Sequence, residues 1–349
     1  MAVSTERDPV ATRAALAAWL ERQTGAGRVD VGEIAIPGLS GFSNETLLFE
    51  ATWDGEAHPL VVRVEPTGHT VFPATAFDAQ VEVMRALWAT GSVPVPEILW
   101  FEESTDVLGA RFLCMRRVEG QVPADNPGYH GEGWMSDLDE AAQRRVWESG
   151  LDTMAAIHVL DVTALGLDWL HPVSPTRQLD LDREYRRFAC GDVPYPVVDQ
   201  AFELLGGAVP PATSQPALCW GDSRIGNMIF GPDQHVAAVL DWEMVTCGDP
   251  VQDLAWYLLL DHHHTMAFDA PRLPGLPSRA ESIARWERTS GRSAEHLDWY
   301  ELLGAARYAS IMVRVMTLLD AAGVFPGAAD TAFDQTGTRL LAEMLDARR

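Results

Sequence analysis

The chain has 349 residues, with 26 basic and 50 acidic side chains and a formal charge of −24. All 26 basic residues are arginine, so the chain contains no lysine. This excludes a Walker A loop, a Schiff-base lysine and a Ser-x-x-Lys acylating centre. The acidic balance argues against DNA or RNA as a partner, because nucleic-acid affinity comes mainly from basic groups that displace counterions from phosphates.

The cysteines and the apolar stretches indicate a protein of the reducing cytoplasm. The cysteines lie too far apart along the chain to predict a zinc site or a disulfide framework. Apolar stretches such as residues 15–20 and 254–260 are too short to span a bilayer, so no membrane association is predicted. Residues 1–25 indicate an amphipathic surface helix rather than a signal peptide. The four cysteines are Cys114, Cys190, Cys219 and Cys247.

The first third of the chain is predicted to form an antiparallel sheet. Short β-branched or alternating runs, separated by turns that contain glycine, serine or asparagine, indicate strands. Between them, apolar positions at helical spacing predict a helix at residues 77–90, which Gly91 terminates. The predicted strands cover residues 31–37, 45–53, 60–64, 97–101 and 110–117.

A change of composition marks a boundary after these strands. Glycine, proline, asparagine and aspartate dominate residues 120–129, where we expect the N-terminal region to end. Helical periodicity dominates the chain beyond this point. The predicted helices cover residues 137–160, 177–190, 196–205, 250–261, 277–291, 294–321 and 330–347.

One predicted β-hairpin interrupts the helices. Its two apolar runs flank a turn sequence at residues 231–234. Folding the chain there brings Asn227 and Asp241 side by side at the open end, and Asp222 lies five residues before Asn227. The three side chains supply oxygen ligands of the kind that suits Mg²⁺ bridging phosphates. The two runs cover residues 228–230 and 235–240.

A longer motif surrounds this hairpin. It comprises Cys219-Trp220-Gly221-Asp222-Ser223-Arg224-Ile225-Gly226-Asn227, then Val239-Leu240-Asp241-Trp242-Glu243, then Gly248-Asp249-Pro250-Val251-Gln252-Asp253-Leu254-Ala255. The motif resembles that of the aminoglycoside phosphotransferase family, kinase-like enzymes that phosphorylate hydroxyl groups of small molecules. The resemblance implies an α+β, bilobal, protein-kinase-like fold. Residues 1–119 would form an N-terminal antiparallel-sheet lobe with a leading helix, and residues 120–349 a larger, mainly helical lobe.

The resemblance also implies the chemistry of the site. Asp222 corresponds to the base that orients the acceptor hydroxyl, while Asn227 and Asp241 correspond to the residues that hold Mg²⁺ against the phosphates of ATP or GTP. The chain has no Ala-Pro-Glu segment or activation loop of protein-kinase length, which disfavours a protein substrate. The implied activity is phosphoryl transfer to a small-molecule hydroxyl.

Two segments are expected to complete the nucleotide site. The polar turn between the first two strands can lay backbone amides, Ser43 and Asn44 over phosphates. The end of the sheet, with Met115, Arg117 and Val118, corresponds to the hinge whose backbone pairs with adenine in the family that this chain resembles.

Three positions depart from the family pattern. Trp220 replaces the histidine that braces the catalytic loop, and altered packing rather than lost chemistry is expected. Arg63 occupies the position of the phosphate-binding lysine, where its fork would bind phosphate bidentately; the alternative is a structural ion pair. The helix glutamate is replaced by Gln80 in the favoured register, or is Glu82 if the register slips.

Several polar residues leave alternatives open. Glu243 could extend the metal site or could be a hydrogen-bonded structural residue. Asp249 and Asp253 are expected to cap and brace the helix that starts at residue 250. The run of Asp and His at residues 261–264 is expected to be a solvated turn rather than a metal site. The aromatic residues expected mainly in the core, with one or two open to a substrate, are Trp256, Tyr257, Trp299 and Tyr300.

The function classes that the sequence leaves open are an active small-molecule kinase and a degenerate kinase fold that binds nucleotide or ligand without turnover. A serine hydrolase lacks its Gly-x-Ser-x-Gly elbow. Residues 255–320, which should line the acceptor cleft, have a net charge of −1. Arg307 and Arg314 share a helical face there, either as ion-paired or snorkelling residues or as an anion site. We therefore expect a neutral or anionic hydroxyl compound with apolar surface rather than an aminoglycoside; the oligomeric state is left open.

Overall fold

The computed structural model describes residues 7–37, 44–68 and 70–348. The N-terminal part is a five-stranded antiparallel sheet in the order β1-β2-β3-β5-β4, with a helix on each face. The first predicted strand, residues 31–37, is shorter than expected, because only its start and an isolated Ala35–Leu48 bridge pair with β2. The elements are α1 (Pro9–Thr24), β1 (Asp30–Val31), β2 (Glu45–Trp53), β3 (Glu56–Val64), α2 (Phe77–Thr90), β4 (Ile98–Glu102) and β5 (Phe112–Arg116).

The burial pattern explains why these residues form a covered sheet. On β2, Leu47, Phe49 and Ala51 alternate into the core, as expected for a strand with one buried face. The central strand β3 is buried on both faces from Leu60 onward, because α1 covers one face and α2 covers the other. Trp19 of α1 packs on the sheet with its ring 4.8 Å from that of Phe112. Strand β3, which carries Arg63, is thus enclosed between the two helices.

Helices dominate the chain after residue 139, and one hairpin and a short two-stranded pair interrupt them. Within the described residues, segment 117–139 has neither helix nor strand of the main sheet, and the predicted boundary at residues 120–129 lies inside it. The elements that follow are α3 (Glu140–His158), α4 (Pro175–Cys190), α5 (Pro196–Gly207), β6 (Ala217–Cys219), β7 (Met228–Phe230), β8 (Val236–Val239), β9 (Thr246–Gly248), α6 (Val251–Ala267), α7 (Arg279–Ser290), α8 (Leu297–Ala321), α9 (Ala328–Thr331) and α10 (Thr336–Asp346).

Helix α8 lies at the centre of the C-terminal part, where it packs against α4, α5, α6 and α10. Among the described residues it is the one helix long and apolar enough to cross a bilayer, and 56% of its most apolar stretch is buried inside the protein. The core helix of a soluble protein meets the same criteria. Its length therefore adds only weak evidence about membranes.

Two predicted helix ends were wrong. Helix α6 continues to Ala267 instead of ending near residue 261, because His263 and His264 face the interior and extend its buried side. The last predicted helix, residues 330–347, is broken into α9 and α10. The break lies at Gln335, which is extended (φ −91°, ψ 171°) and whose side chain caps the start of α10 at Gly337.

Candidate active site

The hairpin of β7 and β8 brings together two of the predicted site residues. Met228 pairs with Val239, and the amide of Leu240 donates to the carbonyl of Asn227 at 2.8 Å. Asn227 and Asp241 therefore lie side by side at the open end of the hairpin. Asp241 adopts a left-handed backbone conformation, with φ 62° and ψ 65°, which turns the chain out of β8 at that residue. The hairpin prediction is confirmed.

The carboxylate of Asp222 is held by three side-chain donors. The indole Nε1 of Trp256 donates to Oδ1 at 2.8 Å. The side-chain amide of Asn227 donates to Oδ2 at 2.6 Å, and Nε of Arg224 donates to the same oxygen at 3.2 Å. Because each carboxylate oxygen has two lone pairs, Oδ1 keeps one for a further donor. The arrangement thus orients a carboxylate that can still accept a proton from a hydroxyl.

Trp256 and Arg224 were not predicted as parts of the site. Trp256 is 4% exposed and belongs to α6, and it was expected mainly in the core. Arg224 also pairs with Asp125 of the segment between the two parts of the chain, at 2.5 Å. Burial by itself would lower the pKa of Arg224. The charges of Asp125 and Asp222 raise it by more, so the net pKa is raised and the guanidinium remains charged. Arg224 could have been recognised as a site residue from the sequence, because it lies only two residues after Asp222.

Asp253 braces the catalytic loop rather than its own helix, which corrects the prediction. Its fully buried carboxylate accepts the backbone amides of Trp220 at 2.6 Å and Gly221 at 3.0 Å. His158 lies 3.0 Å from the same carboxylate. Asp249 does cap the start of α6, by accepting the Val251 amide at 3.1 Å. Thus the loop before Asp222 is anchored to α6 by a buried carboxylate.

The residues before Asp222 fit closely in this anchored loop. Trp220 is fully buried, and its indole donates to the carbonyl of Leu240 at 2.8 Å, so the loop and the hairpin end are tied together. Gly221 has φ +93°, and a Cβ atom there would lie 2.1 Å from the carbonyl oxygen of Met244. Only glycine satisfies both the backbone conformation and this close approach. Trp220 thus ties the loop to the hairpin end through its buried indole.

Arg63, in the central strand β3, forms an ion pair with Asp241. Its Nη2 lies 3.1 Å from Oδ1 of Asp241. Burial lowers the pKa of Arg63, but Asp241 and Glu243 outweigh it, and the net pKa is raised. Gln80 is 1% exposed and Glu82 is exposed, so Gln80 is the one of the two that faces the protein interior. Among the described residues, neither Nε of Arg63 nor Oε1 of Gln80 has a hydrogen-bond partner.

The predicted phosphate turn is only partly described. Ser43 lies outside the described residues. Asn44, at the start of β2, donates from its side-chain amide to Glu243 at 3.0 Å. Asn44, Gln80 and Glu243 all line one small cavity beside the start of α2. Glu243 is therefore hydrogen-bonded in the structure, and a further role beside the metal site stays a prediction.

The predicted hinge ends the sheet. Met115 is buried in β5, and Arg117 is exposed just after it. The backbone amide of Arg117 already donates to the carbonyl of Pro59 at 3.0 Å. No hydrogen bond within the described chain uses the amide of Val118. The Val118 amide is therefore the backbone donor that remains for a base at this hinge.

A cavity of about 490 Å³ opens in front of Asp222, and we call it the Asp222 cavity. Most of its other walls are apolar, and its polar lining comprises Asp125, Asn126, Asp222, Arg224, Asp241, Glu243, His263 and His264. The apolar walls are formed by Val71, Phe72, Met244, Leu260, Ala267, Phe268, Ile311, Met312, Val315 and Phe325.

The prediction of a solvated turn at residues 261–264 was wrong. Asp261, His263 and His264 are at most 9% exposed, and both histidines border the Asp222 cavity. Burial, together with the neighbouring His264, lowers the pKa of His263 to about 4, so the ring is neutral near pH 7. Tyr308 lies within hydrogen-bond distance of His263, at 3.0 Å. The described residues contain no cluster of three or more His, Cys, Asp or Glu side chains that could hold a metal.

Arg307 and Arg314 follow the ion-paired and snorkelling alternative. Arg307 forms two bonds with the buried Asp182, at 2.8 and 3.0 Å. Arg314 donates to the backbone carbonyl of Thr70 at 2.9 Å and lies over the ring of Phe188 at 5.0 Å. Neither guanidinium borders the Asp222 cavity. An anion site built from this pair is therefore not formed.

The donor set at the hairpin end fits Mg²⁺. Because the amide nitrogen of Asn227 binds Asp222, its amide oxygen faces away from that carboxylate. Asp241 supplies a carboxylate beside it. Mg²⁺ typically takes one or two protein oxygens of this kind and completes its shell with water and phosphate oxygens. Arg63 lies next to Asp241, where a phosphate chain would need a cation.

A sheet with covering helices, a braced loop carrying Asp222 and a hairpin carrying Asn227 and Asp241 together define a kinase-like phosphotransferase fold. The chain belongs to the phosphotransferase enzyme family (APH), whose family model matches residues 35–292. The resemblance inferred from the motif, including the bilobal α+β fold, is thereby confirmed.

Solved structures share this fold at low sequence identity. A Ralstonia eutropha protein described as an aminoglycoside phosphotransferase has a TM-score of 0.69 and 22% identity, with 95% of this chain and 98% of that chain covered. A thermostable mutant of aminoglycoside phosphotransferase APH(4)-Ia, in complex with AMP-PNP and hygromycin B, has a TM-score of 0.56 and 17% identity, with 94% and 98% covered. These structures support the fold.

A curated relative shares part of its length with this chain. Acyl-CoA dehydrogenase family member 11 of Gallus gallus is 33% identical over 223 residues, which are 62% of this chain. The match covers 26% of the relative, so the chain spans about a quarter of that protein.

Proposed function

We propose that the chain is a Mg²⁺-dependent phosphotransferase that transfers the γ-phosphoryl group of ATP or GTP to a hydroxyl group of a small molecule. The observation that carries the proposal is the Asp222 carboxylate. It is held by Trp256, Asn227 and Arg224 at the end of a cavity, beside Asp241. Membership of a phosphotransferase family supports the same class of reaction.

Each residue then has a role in the transfer. The acceptor oxygen bonds to the γ-phosphorus, the bond from that phosphorus to the bridging oxygen breaks, and the nucleoside diphosphate leaves. The hydroxyl proton moves to Asp222, whose Oδ1 keeps a lone pair for it. Asn227 and Asp241 would hold Mg²⁺, which neutralises phosphate charge when bound.

The N-terminal region would hold the nucleotide. Arg63 would contact the phosphates, with Ser43 and Asn44 above them. The hinge after β5, at Met115, Arg117 and Val118, would pair with the base. We propose that residues 1–119 act as this nucleotide lobe and residues 120–349 as the catalytic and acceptor lobe. A cytoplasmic location is also part of the proposal, and the scattered cysteines support it.

We place the acceptor in the Asp222 cavity and propose a neutral or anionic hydroxyl compound with apolar surface. Most of the cavity wall is apolar, and each carboxylate on it already has a partner: Arg224 pairs with Asp125 and Asp222, Arg63 pairs with Asp241, and Asn44 donates to Glu243. A polycationic aminoglycoside would need uncompensated carboxylates in their place. Because the curated relative is named for acyl-CoA chemistry, hydroxyacyl-CoA thioesters belong among the compounds tested.

A degenerate fold that binds nucleotide without turnover is the second candidate. The observations that favour it are the direct pair between Arg63 and Asp241 at 3.1 Å and the uncharged Gln80 where kinases carry a glutamate. In the proposed enzyme, Asp241 would give up part of this contact to help hold Mg²⁺. In the degenerate fold the pair persists and phosphoryl transfer does not occur.

The test is ATP and GTP consumption by the purified chain against a broad panel of hydroxyl compounds, with and without Mg²⁺. The panel should include hydroxy acids, hydroxyacyl-CoA thioesters and kanamycin. The proposal expects acceptor-stimulated, Mg²⁺-dependent turnover that Asp222→Asn lowers by about 10² or more. Nucleotide binding without stimulation by any compound would favour the degenerate fold. Efficient turnover of kanamycin would refute the acceptor assignment.

A further inference from the structure

The connection between β3 and α2 crosses from the sheet to the helices of the C-terminal part. We call its residues 70–76 the strap. Nε of Arg314 on α8 donates to the carbonyl of Thr70 at 2.9 Å. The hydroxyl of Tyr185 on α4 donates to the carbonyl of Val71 at 3.0 Å. Two helices therefore hold two successive backbone carbonyls of the strap.

Side-chain packing adds to these hydrogen bonds. Val71 is 3% exposed and packs with Val315, Leu318 and Leu319 of α8 in a small cluster separate from the main cores. The ring of Phe72 lies 5.6 Å from that of Tyr185. After these residues the strap is exposed at positions 73–75. Its attachment to the C-terminal part is thus local and rests on Thr70, Val71 and Phe72.

The attached residues also form part of the Asp222 cavity. Val71 and Phe72 both line it, opposite residues of α6 and α8. Phe72 also borders a neighbouring cavity of about 490 Å³ beside α4, and the small cavity that contains Asn44 and Gln80. A side chain from the N-terminal region thus stands between the acceptor space and its two neighbours.

The other end of the strap reaches the residues beside Arg63. The hydroxyl of Thr75 donates to Glu65 at 2.6 Å, directly after β3. Helix α2 begins at Phe77, and Gln80, in its first turn, lines the small cavity with Glu243. One short segment therefore connects the wall of the acceptor cavity to the helix beside the proposed phosphate site.

We infer that the strap couples the two binding sites, with Val71 and Phe72 as acceptor-specificity residues of the enzyme. This inference rests on the proposed function. A ligand in either site favours the docked strap, because docking completes the Asp222 cavity at one end and positions α2 at the other. Two sites that bias the same element have reciprocally coupled affinities.

Hydrogen–deuterium exchange of the full chain, with and without Mg²⁺ and AMP-PNP, tests the coupling. Peptides over residues 222–241 report nucleotide binding, and peptides over residues 70–76 report the strap. The variants are Tyr185→Phe, Arg314→Met and their combination. Tyr195→Phe is the matched control, because it removes a hydroxyl bonded to Thr338 instead of to the strap.

In the parent, the nucleotide should slow exchange in both sets of peptides. The combined variant should exchange about tenfold faster in the strap without nucleotide, as expected for the loss of two ordinary hydrogen bonds. It should also lose nucleotide protection of the strap while keeping it at 222–241. Protection at 222–241 without any change at 70–76 in the parent would overturn the coupling alone. Absence of protection everywhere would overturn the proposed function and the coupling with it.

The specificity role is tested by running the same hydroxyl-compound panel on the parent and on Phe72→Ala and Val71→Ala. Removing the Phe72 ring joins the Asp222 cavity to its neighbour, so the preferred acceptors should change by fivefold or more relative to one another. The same ranking of compounds for the parent and both variants would overturn the specificity role.

Discussion

Replacing Trp256 with phenylalanine should slow phosphoryl transfer without weakening nucleotide binding. The indole Nε1 is the side-chain donor to Oδ1 of Asp222, at 2.8 Å, and a phenyl ring keeps most of the packing while removing that donor. Hydrogen bonds to a charged group contribute roughly 1.5–3 kcal/mol. Asn227 and Arg224 still donate to Oδ2 in this variant. The carboxylate therefore keeps two of its partners but is oriented less well.

We therefore expect kcat to fall by about tenfold, the lower end of the range that this energy allows. The Michaelis constant for ATP should stay within about twofold, because Trp256 lies on the acceptor side of Asp222. The assay is steady-state nucleotide consumption with the acceptor that stimulates most strongly, together with thermal unfolding of each variant.

Trp147→Phe is the matched control for this substitution. Trp147 is fully buried in α3, and its indole donates to Ser282 at 2.9 Å, away from Asp222. The Trp147→Phe variant should be destabilised by about as much as Trp256→Phe, but its kcat should be unchanged. If both variants lose kcat equally, or if Trp256→Phe raises only the Michaelis constant for ATP, the positioning role of the indole is refuted.

Four further outcomes are expected. Asp241→Ala should abolish Mg²⁺-dependent nucleotide binding in calorimetry, whereas Asp222→Asn should keep it; tight binding by Asp241→Ala would remove the metal assignment. Arg63→Met should raise the Michaelis constant for ATP strongly and Arg63→Lys should be tolerated, while unchanged kinetics of Arg63→Met would make the arginine purely structural. Gly221→Ala should destabilise the chain by more than about 2 kcal/mol in denaturant titration, because its φ of +93° and the Met244 carbonyl exclude a Cβ. The lowered pKa of His263 means that the unfolded chain binds more protons than the folded chain between pH 6.5 and about 4. The free energy of unfolding should therefore fall across that window as pH decreases, and it should fall less in His263→Asn.

Several elements could be predicted because their signals are local. Helix α2 was predicted at residues 77–90 and is observed as Phe77–Thr90, since apolar spacing marks its face and Gly91, with φ +62°, marks its end. Strand β2 was likewise predicted at its observed bounds of Glu45–Trp53. The ends of α6 and of the last predicted helix were missed, because burial of His263 and the turn at Gln335 depend on distant packing.

The site divides in the same way. Asp222, Asn227 and Asp241 could be grouped from local signals, because they lie within 20 residues and the turn of the hairpin between Asn227 and Asp241 is recognisable. Because the chain has no lysine, the sequence also predicts that an arginine would stand at any phosphate position.

The surroundings of these three residues depend on contacts between segments that are distant in the sequence. Trp256 lies 34 residues from Asp222 and donates to its carboxylate directly. Asp125 lies 99 residues from Arg224 and pairs with it, and Arg224 in turn donates to Asp222. Asp253 looked like a helix cap and instead holds the loop of Trp220 and Gly221. Hydrogen bonds between distant segments leave no periodic pattern in the chain, because their partners are selected by the packing of α6 against the loop and of the strap against α4 and α8.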